Sequence, residues 1–262
     1  MSSRELLLYD EDDGIGIITI NRPEVHNALN LDTIVEFRSL MQRIETEGRV
    51  RALILTGAGQ QAFISGGDLR EFQELKTVDE ARRMAQAMKE VTDRIEAARF
   101  AVIAAINGYA LGGGCEVAVA CDVRIASSTA VLGFRQIKLG LISGWGGGPR
   151  LIRLLGPGKA LRLMLTGETL TAEQALALGL VDQVVPPDDL LPAARTVARS
   201  IAENAPLAIA AYKRLARMTA EAPLSAALAF ETELFGPIWV SQDHEEAVRA
   251  HFEKRAPRFT GR

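Results

Sequence analysis

The most restrictive feature of the sequence is an apolar stretch over residues 100–121 that is interrupted at three points. Asn107, Glu116 and the glycines at 112–114 break the stretch, and polar groups inside a lipid bilayer are costly. The uninterrupted run over residues 101–106 is typical of a strand that is buried on both faces. We therefore interpret the stretch as a buried core segment, in which a strand leads through a glycine turn into a short helix.

Strand and helix patterns alternate along the first two thirds of the chain. Apolar spacing predicts helices over residues 34–48, 78–97 and 115–120, and β-type runs predict strands over residues 15–20, 52–56, 62–65, 101–106, 123–127 and 181–185. Thr171 and Gln174 have the spacing of a capping box, and Gly179 is suited to end that helix. Beyond residue 188 only helical periodicity remains. We therefore predict an α/β core over residues 1–195, followed by an α-helical region over residues 196–262.

Composition and charge exclude several functional classes. The chain has 262 residues, of which 48% are apolar and 24% charged, as expected of a globular protein. With 30 Lys and Arg against 33 Asp and Glu and no basic block, we expect no nucleic-acid partner. Two cysteines do not make a disulfide framework, so a reducing cytoplasm is the expected compartment. The N-terminal residues lack the pattern of a targeting peptide, and we expect no membrane association.

The common catalytic motifs are missing from the sequence. It contains no GxGxxG after a strand, no GxxxxGK[ST], no GxSxG, no CxxC and no HExxH. His26, His244 and His251 are scattered, which does not match the ligand spacing of a zinc site. We therefore expect neither a metal ion nor a redox cofactor.

Two junctions of strand, glycine turn and helix stand out, FISGGDL at residues 63–69 and NGYALGGGCE at residues 107–116. The first N–H groups of a helix have no intrahelical partner, and glycine lets a ligand approach the backbone closely. If the junctions lie side by side, the N–H groups of Gly67 and Gly113 could hold one carbonyl oxygen as an oxyanion hole, worth roughly 3–4 kcal/mol per donor. The alternative is that the glycines only make tight turns and that Asp68 is only an N-cap.

Glu116 favours the catalytic interpretation. A carboxylate in the first turn of a helix within an apolar segment is costly to bury unless it is paired or used. Desolvation raises the pKa of such a carboxyl from about 4.3 toward neutrality. Glu116 is therefore suited to act as a general base near pH 7.

The block IAAINGYALGGGCEVAVACDV resembles the signature of the enoyl-CoA hydratase/isomerase (crotonase) superfamily. NRPEVHNALN, AFISGGDL, LTGETLTAEQALALGLVDQVV and FEKRAPRF are similar to its other blocks in the same order, so the resemblance covers essentially the whole chain. It implies a crotonase-like spiral of ββα units with C-terminal helices that drive formation of homotrimers, which commonly stack into hexamers. It also implies an acyl-CoA thioester as substrate, with coenzyme A present as part of that substrate.

The resemblance also implies roles for individual residues. The oxyanion donors fall on Gly67 and Gly113, and Glu116 takes the place of the first catalytic glutamate. Arg22 lies where it could meet the coenzyme A phosphates. The residues expected to line the coenzyme A channel are His26, Ala28, Leu29, Gly67, Asp68, Leu69 and Arg70.

The sequence departs from the family pattern in one segment. Hydratases of the family carry a second glutamate in a segment FGxPExxxG, where it protonates the α-carbon, whereas this chain has LGFRQIKLG. Aligned on Gly133 and Gly140, the position of that glutamate is Gln136. The amide of Gln136 can orient water by hydrogen bonding but cannot donate and recover a proton.

Three interpretations of this departure remain open. In the first, which we expect, the protein is an enoyl-CoA hydratase or isomerase in which Glu116 handles both proton transfers and Gln136 positions the water. In the second, it decarboxylates a methylmalonyl- or ethylmalonyl-type acyl-CoA, because SGWGGGPRL, with Trp145, is more similar to the loop of decarboxylase members. In the third, it binds acyl-CoA without catalysis, although such a pocket gains nothing from the buried carboxylate of Glu116.

Overall fold

The computed structural model describes residues 5–262 of the chain. Its strands are β1 (Leu7–Asp12), β2 (Ile15–Ile20), β3 (Ala52–Gly57), β4 (Ala62–Ile64), β5 (Ala101–Ile106), β6 (Tyr109–Leu111), β7 (Val123–Ser127), β8 (Val131–Gly133), β9 (Leu170–Thr171) and β10 (Gln183–Val185). Its α-helices are α1 (Leu31–Glu47), α2 (Leu69–Phe72), α3 (Val78–Ala97), α4 (Gly113–Ala118), α5 (Gly147–Leu155), α6 (Pro157–Thr166), α7 (Ala172–Leu178), α8 (Leu190–Ala202), α9 (Pro206–Glu221), α10 (Leu224–Trp239) and α11 (Gln242–Glu253). Short 3-10 helices span Pro23–Val25, Gln136–Leu139 and Pro187–Asp189.

The described strands form two sheets, and from β3 to β8 successive strands alternate between them. The larger sheet has the order β1-β2-β3-β5-β7-β10 and is parallel except for the pair β1 and β2. The smaller sheet has the order β4-β6-β8-β9 and is parallel except for the pair β8 and β9. The pairs β3 and β4, β5 and β6, and β7 and β8 each place one strand in each sheet before the chain enters a helix. This is the spiral of ββα units that the resemblance implied.

Local sequence signals set the ends of several helices. Thr77 and Glu80 form a capping box at the start of α3. The predicted capping box of Thr171 and Gln174 starts α7, and Gly179 ends that helix in the left-handed region at φ 83°. Each box satisfies backbone N–H groups that lack a partner inside the helix. The boundaries of α3 and α7 therefore follow from side chains next to them in sequence.

The larger sheet is covered on both faces. All six residues of β5 are buried, as the apolar run predicts. Leu190, Ala194 and Ala198 of α8 pack on one face, in a cluster with Ile54 and Ile103. The predicted boundary after residue 195 thus falls inside a helix that belongs to the core, and the helical region beyond the sheets begins with α9.

The sequence reading missed four short strands, β1, β6, β8 and β9. β1 has the sequence LLYDED, in which acidic residues mask the strand alternation, and it is an edge strand in which Leu7 is buried and every second residue is exposed. β6 and β8 are three residues long and lie beside the glycine turns. They exist because β6 pairs in parallel with β4 and β8 pairs in parallel with β6, which is a tertiary effect that local sequence does not encode.

Candidate active site

The start of α4 carries one donor of the site. The chain leaves β6 and turns at Gly112, whose φ of 52° lies in the left-handed region that glycine adopts at low cost. The N–H of Gly112 donates to the carbonyl of Gly133 at 2.8 Å. The next N–H, that of Gly113, donates to no acceptor within residues 5–262. Gly113 therefore presents a free backbone donor.

The turn between β4 and α2 carries a second donor. The carbonyl of Gly66 accepts from the N–H of Leu29, and the N–H of Asp68 donates to the carbonyl of Leu29, both at 2.9 Å. Between them, the N–H of Gly67 donates to no acceptor in the described chain. Asp68 is the N-cap of α2, as the sequence predicts, and accepts from the N–H of Arg70. Pairing with Leu29 thus fixes the turn and leaves the N–H of Gly67 free.

The two glycine turns are in contact. A Cβ atom placed on Gly66 would lie 3.8 Å from the nitrogen of Gly113, and one on Gly114 would lie 1.8 Å from the carbonyl oxygen of Ile64. Because the nitrogen of Gly67 follows Gly66 directly, standard bond lengths place the nitrogens of Gly67 and Gly113 within about 7 Å of each other. The two free donors therefore share one small region.

Aromatic rings lie directly against both donor glycines. A Cβ on Gly67 would come within 2.3 Å of the Phe72 ring, and a Cβ on Gly113 within 2.0 Å of the Trp145 ring. The packing alternative raised by the sequence is thus also real, since both positions need glycine for steric reasons. The rings exclude water beside the donors, which strengthens any hydrogen bond made there.

Glu116 lies one helical turn beyond Gly113, and only 2% of its surface is exposed. Its Oε2 accepts from the N–H groups of Trp145 and Gly147, both at 2.8 Å. Its Oε1 accepts from Nε2 of Gln136 at 2.9 Å and from the N–H of Gly144 at 3.3 Å. A carboxylate has about four lone-pair positions, so these donors satisfy it completely.

Burial and hydrogen bonding act on Glu116 in opposite directions. Burial raises the pKa of its carboxyl, and the hydrogen bonds from Gly147, Trp145, Gln136 and Gly144 lower it, with a net upward shift. The group is therefore held as an anion by dipoles rather than by a cation in direct contact. This is the environment of a base with a pKa above the ordinary value for glutamate.

Gln136 sits beside Glu116 and the Gly112 turn. It begins the 3-10 helix that follows β8, and a Cβ on Gly112 would lie 3.9 Å from the side-chain amide carbon of Gln136. The structure therefore brings together Gly67, Gly113, Glu116 and Gln136, which the sequence singled out from distant segments.

The residues expected along the coenzyme A channel divide into two groups. Ala28 and Leu29 are buried in the loop before α1, where Leu29 pairs with the second glycine turn. His26, Leu69 and Arg70 are exposed at the surface, and the His26 ring lies edge-on to Tyr109 with centroids 6.4 Å apart. All of them therefore surround the turn of Gly67.

Arg22 has a structural partner that the sequence did not reveal. Its Nη2 lies 2.9 Å from Oδ2 of Asp68, its Nη1 donates to the carbonyl of Ala28, and only 13% of its side chain is exposed. Arg22 is therefore paired and largely buried, and its contact with the coenzyme A phosphates stays a prediction. Arg22 ties the loop before α1 to the turn of Gly67.

Sequence reasoning missed the loop that binds Glu116. Gly144, Trp145 and Gly147 were noted only for the resemblance of their motif, and the side chain of Glu116 contacts all three backbones. A Cβ on Gly147 would lie 2.4 Å from Cγ of Glu116, so only glycine fits there. The run GWGGG was the available signal, because closely spaced glycines at the start of a helix permit backbone contact with a buried group.

The other ionisable groups near α4 do not compete with Glu116. Burial raises the pKa of the Cys115 thiol to about 12, and its sulfur contacts the backbone of Ala110 and Gly133. Within residues 5–262, no group of three His, Cys, Asp or Glu side chains is arranged to hold a metal ion. No helix in that range is both long enough and apolar enough to cross a bilayer.

The order of these elements matches a known sequence family. The model of the enoyl-CoA hydratase/isomerase family matches residues 10–262. The chain belongs to this family. Similar members of the family include the short-chain-enoyl-CoA hydratase of Clostridium acetobutylicum, which is 41% identical over 95% of both chains. The crotonyl-CoA hydratase of Syntrophomonas wolfei is 38% identical over 97% of this chain and 98% of its own.

The fold is also that of the enoyl-CoA hydratase/isomerase family. The crystal structure of an enoyl-CoA hydratase from Bacillus anthracis superposes with a TM-score of 0.95 at 35% identity, covering 98% of this chain and 100% of the other. The α/β architecture predicted from the sequence is therefore confirmed, and so is the membership of the crotonase superfamily.

Proposed function

We propose that the protein is an enoyl-CoA hydratase, which adds water across the double bond of a 2-enoyl-CoA thioester. The observation that carries this proposal is the placement of two free backbone donors, Gly67 and Gly113, in one small region, with the buried carboxylate of Glu116 one helical turn beyond Gly113. Family membership and the hydratases among its relatives support it.

In the proposed reaction the thioester oxygen accepts hydrogen bonds from the N–H groups of Gly67 and Gly113. These donors stabilise the negative charge that develops on that oxygen when the conjugated bond is attacked, by roughly 3–4 kcal/mol each. The Phe72 and Trp145 rings beside them keep water away from the charge. The two donors form in this proposal an oxyanion hole made of main chain.

Glu116 then activates the water in the proposed mechanism. It takes one proton as the water oxygen bonds to the β-carbon, and the electron pair of the double bond moves to the thioester. The α-carbon then takes either the proton held by Glu116 or a proton from solvent; in the second case Glu116 releases its proton to solvent, so that the elements of one water are added and the enzyme is restored. Gln136 orients the water through its amide but transfers no proton.

The water needs a free lone pair on Glu116, and all are occupied in the structure described here. The contact from the N–H of Gly144 is the longest, at 3.3 Å, and Gly144 is exposed in the loop before α5. We propose that substrate water replaces this hydrogen bond on Oε1, next to Gln136. The shorter contacts from Trp145 and Gly147 on Oε2 then remain and hold the carboxylate in place.

The coenzyme A portion is proposed to lie across the loop before α1 and the turn of Gly67. His26, Leu69 and Arg70 are the exposed side chains there, and Ala28 and Leu29 form the floor. Asp68 is occupied by Arg22 and by the N-terminus of α2, so its proposed part is to shape the channel.

One observation favours decarboxylation as a second candidate. All four lone-pair positions of the Glu116 carboxylate are occupied, so none is free to accept a proton from water, whereas decarboxylation of a malonyl-type thioester needs an oxyanion hole but no base. Incubation with crotonyl-CoA, followed by loss of the enoyl-thioester absorbance, tests hydration. Incubation with methylmalonyl- and ethylmalonyl-CoA, followed by release of carbon dioxide, tests decarboxylation. If the protein turns over neither kind of substrate but still binds acyl-CoA, its function is binding without catalysis.

The helices beyond the sheets are proposed to form the contacts of a homotrimer. α9, α10 and α11 carry exposed large apolar side chains, which are Tyr212, Leu224, Leu228, Phe235, Trp239, Val248 and Phe252. Exposed apolar surface of this extent is typical of a protein interface. Light scattering after size exclusion measures the assembly and separates trimer from hexamer.

The two buried free thiols support the proposed reducing cytoplasm.

A further inference from the structure

Two side chains that do not contact Glu116 form hydrogen bonds to the loop that binds it. The hydroxyl of Thr92, on α3, lies 2.7 Å from the carbonyl of Trp145, and Nη1 of Arg150, on α5, donates to the carbonyl of Gly146 at 3.2 Å. Nη1 of Arg150 also donates to the Thr92 hydroxyl at 3.2 Å. Thr92 is fully buried, and 10% of the Arg150 side chain is exposed.

The single proton of the Thr92 hydroxyl has two possible acceptors. The carbonyl of Lys89 is 3.0 Å away and that of Trp145 is 2.7 Å away. The shorter distance assigns the proton to Trp145. The Thr92 hydroxyl therefore accepts from Arg150 and donates to the loop, which continues the hydrogen-bond chain from the guanidinium to the backbone.

The peptide group between Gly146 and Gly147 connects Arg150 to Glu116. Its carbonyl accepts from the Arg150 guanidinium, and its N–H donates to Oε2 of Glu116. A cation on the oxygen of a peptide and an anion on its N–H polarise that peptide in the same sense, so each hydrogen bond strengthens the other. Arg150 therefore acts on the carboxylate without touching it.

The backbone conformation of the loop depends on the same contact. Gly146 has a φ of 87°, and this left-handed turn lets the N–H groups of Trp145 and Gly147 converge on one oxygen of Glu116. A Cβ on Gly146 would lie 2.4 Å from Nη1 of Arg150. The guanidinium is thus packed against the turn that it holds.

Arg150 is anchored on its other side by acidic residues of α3. Its Nη2 lies 2.9 Å from Oδ1 of Asp93 and 2.6 Å from Oε2 of Glu96. Asp93 also pairs with Lys89. These are the charged groups that face the loop from α3, and they fix the guanidinium so that it presents Nη1 to Gly146.

We propose that Arg150, acting with Thr92, is a positioning residue for Glu116, which holds the backbone of residues 144–147 so that its N–H groups stabilise the ionised carboxylate. The inference rests on the proposed function of Glu116 as the base. Neither Arg150 nor Thr92 contacts substrate in this scheme, and both act through the loop.

Replacing Arg150 is expected to favour the protonated form of Glu116 over its anion. Loss of the guanidinium removes the polarisation of the peptide, leaves Glu96 without its cation and leaves Asp93 with Lys89 alone, and these changes disfavour the anion of Glu116. In the pH profile of kcat, the acid limb reports protonation of Glu116. This limb therefore moves to higher pH in Arg150→Met. We expect kcat to fall roughly tenfold to a hundredfold through misplacement of the carboxylate, with KM little changed.

Three further variants separate positioning from folding. Thr92→Val removes the hydroxyl without changing the shape, and we expect a smaller shift of the acid limb in the same direction. Thr92→Ser keeps the hydroxyl and is expected to restore the wild-type profile. Arg153→Met is the matched control, because Arg153 lies on the same helix with a longer contact, 3.8 Å, to Glu221 and no contact to the loop. We expect its profile to be that of the wild type.

A measurement without substrate separates this inference from the proposed function. Infrared difference spectra between wild type and Glu116→Gln follow the carboxyl band of Glu116 as the pH changes. If the carboxyl of Glu116 titrates at higher pH in Arg150→Met than in the wild type, the inference holds whichever reaction the protein catalyses. An unshifted titration overturns it, even where kcat or thermal stability falls, because a purely structural role predicts that result. Absence of hydration in the wild type overturns the proposed function alone.

Discussion

Nε2 of Gln136 donates a hydrogen bond to Oε1 of Glu116 across 2.9 Å. A donor at this position stabilises the ionised carboxylate, whereas a second carboxyl would share a proton with it. The resemblance implies a second glutamate at this position in hydratases of the family, so Gln136 changes the charge of the pair as well as its chemistry. Glu116 has an amide donor where a hydratase with two glutamates has an acid.

Gln136→Glu is expected to raise hydratase activity. Two carboxyl groups at hydrogen-bond distance do not both ionise readily, so one keeps a proton near neutral pH and can deliver it to the α-carbon. A general acid contributes roughly 10²–10⁴ in rate where it is fully effective. Steady-state kinetics with crotonyl-CoA against pH measure the change, and the new acid adds a basic limb to the profile. Gln136→Met is the control that removes the donor without adding an acid. Unchanged or lower activity in Gln136→Glu would contradict the role given to this position.

Glu116→Gln is expected to abolish hydration while acyl-CoA affinity stays nearly unchanged. The amide removes the base, which costs roughly 10²–10⁴ in rate. The fold tolerates it, because its oxygen can accept from Trp145 and Gly147 while its NH₂ group donates to a rotated Gln136 amide. Calorimetric titration with butyryl-CoA measures the affinity. A loss of affinity comparable to the loss of rate would instead make Glu116 a structural residue.

We also expect the stability difference between the wild type and Glu116→Gln to depend on pH. Burial raises the pKa of Glu116 in the folded protein above its unfolded value of about 4.3, so the folded state holds the proton more tightly. The stability from this group is fully present below pH ~4.3 and is lost as the pH rises through the folded pKa. We therefore expect the free energy of unfolding of the wild type, relative to that of Glu116→Gln, to decrease as the pH rises from about 4.3 through the folded pKa of Glu116. Urea unfolding of both proteins at several pH values measures it, and a difference that grows with pH would be the contrary result.

The elements that local sequence predicts correctly are those whose own residues decide them. α3 follows an uninterrupted helical pattern from a capping box, and β5 follows an apolar run that fits only a strand buried on both faces. Of the site, Glu116 and the two glycine turns could be predicted, because a buried carboxylate and paired glycines are unusual in any fold.

The remainder of the site depends on contacts between distant segments. The N–H groups that bind Glu116 belong to residues 144–147, and the threonine behind them lies on α3, more than fifty residues earlier in the chain. Backbone donors carry no side-chain signature, so no motif reveals them. The pairing of Arg22 with Asp68 is hidden for the same reason, since 46 residues separate them.

Gly113→Ala is expected to disturb packing, while the backbone N–H remains. The new methyl group would lie 2.0 Å from the Trp145 ring, and overpacking of this kind costs about 1–3 kcal/mol. Removing the ring in Gly113→Ala/Trp145→Ala relieves the clash, so we expect part of the activity lost in the single variant to return. Urea unfolding and kcat with crotonyl-CoA measure both effects. Gly158→Ala is the matched control, because a Cβ at this helical position meets no atom within 4 Å. If the double variant is no more active than Gly113→Ala, the ring is not the cause of the loss.

Lys213 docks α9 on the core and provides a test that is independent of the site. Its Nζ lies 2.6 Å from Oδ2 of Asp122 and also donates to the carbonyls of Ile95 and Phe100, at 3.2 Å and 2.9 Å. Lys213→Met removes the donor to both carbonyls and leaves Asp122 with only the N–H of Val102, which we expect to cost roughly 1–3 kcal/mol, since the pair is only partly buried.

The loss should appear first as release of α9 and α10 rather than as unfolding of the sheets. Limited proteolysis of the wild type and of Lys213→Met, with fragments identified by mass, locates the opened segment. Arg217→Met, at an exposed position on the same helix, is the control. Because the core helix α8 packs on β3 and β5 independently of Lys213, cleavage is expected after residue 202. Cleavage within the sheets at the same rate would show that the two regions unfold as one unit.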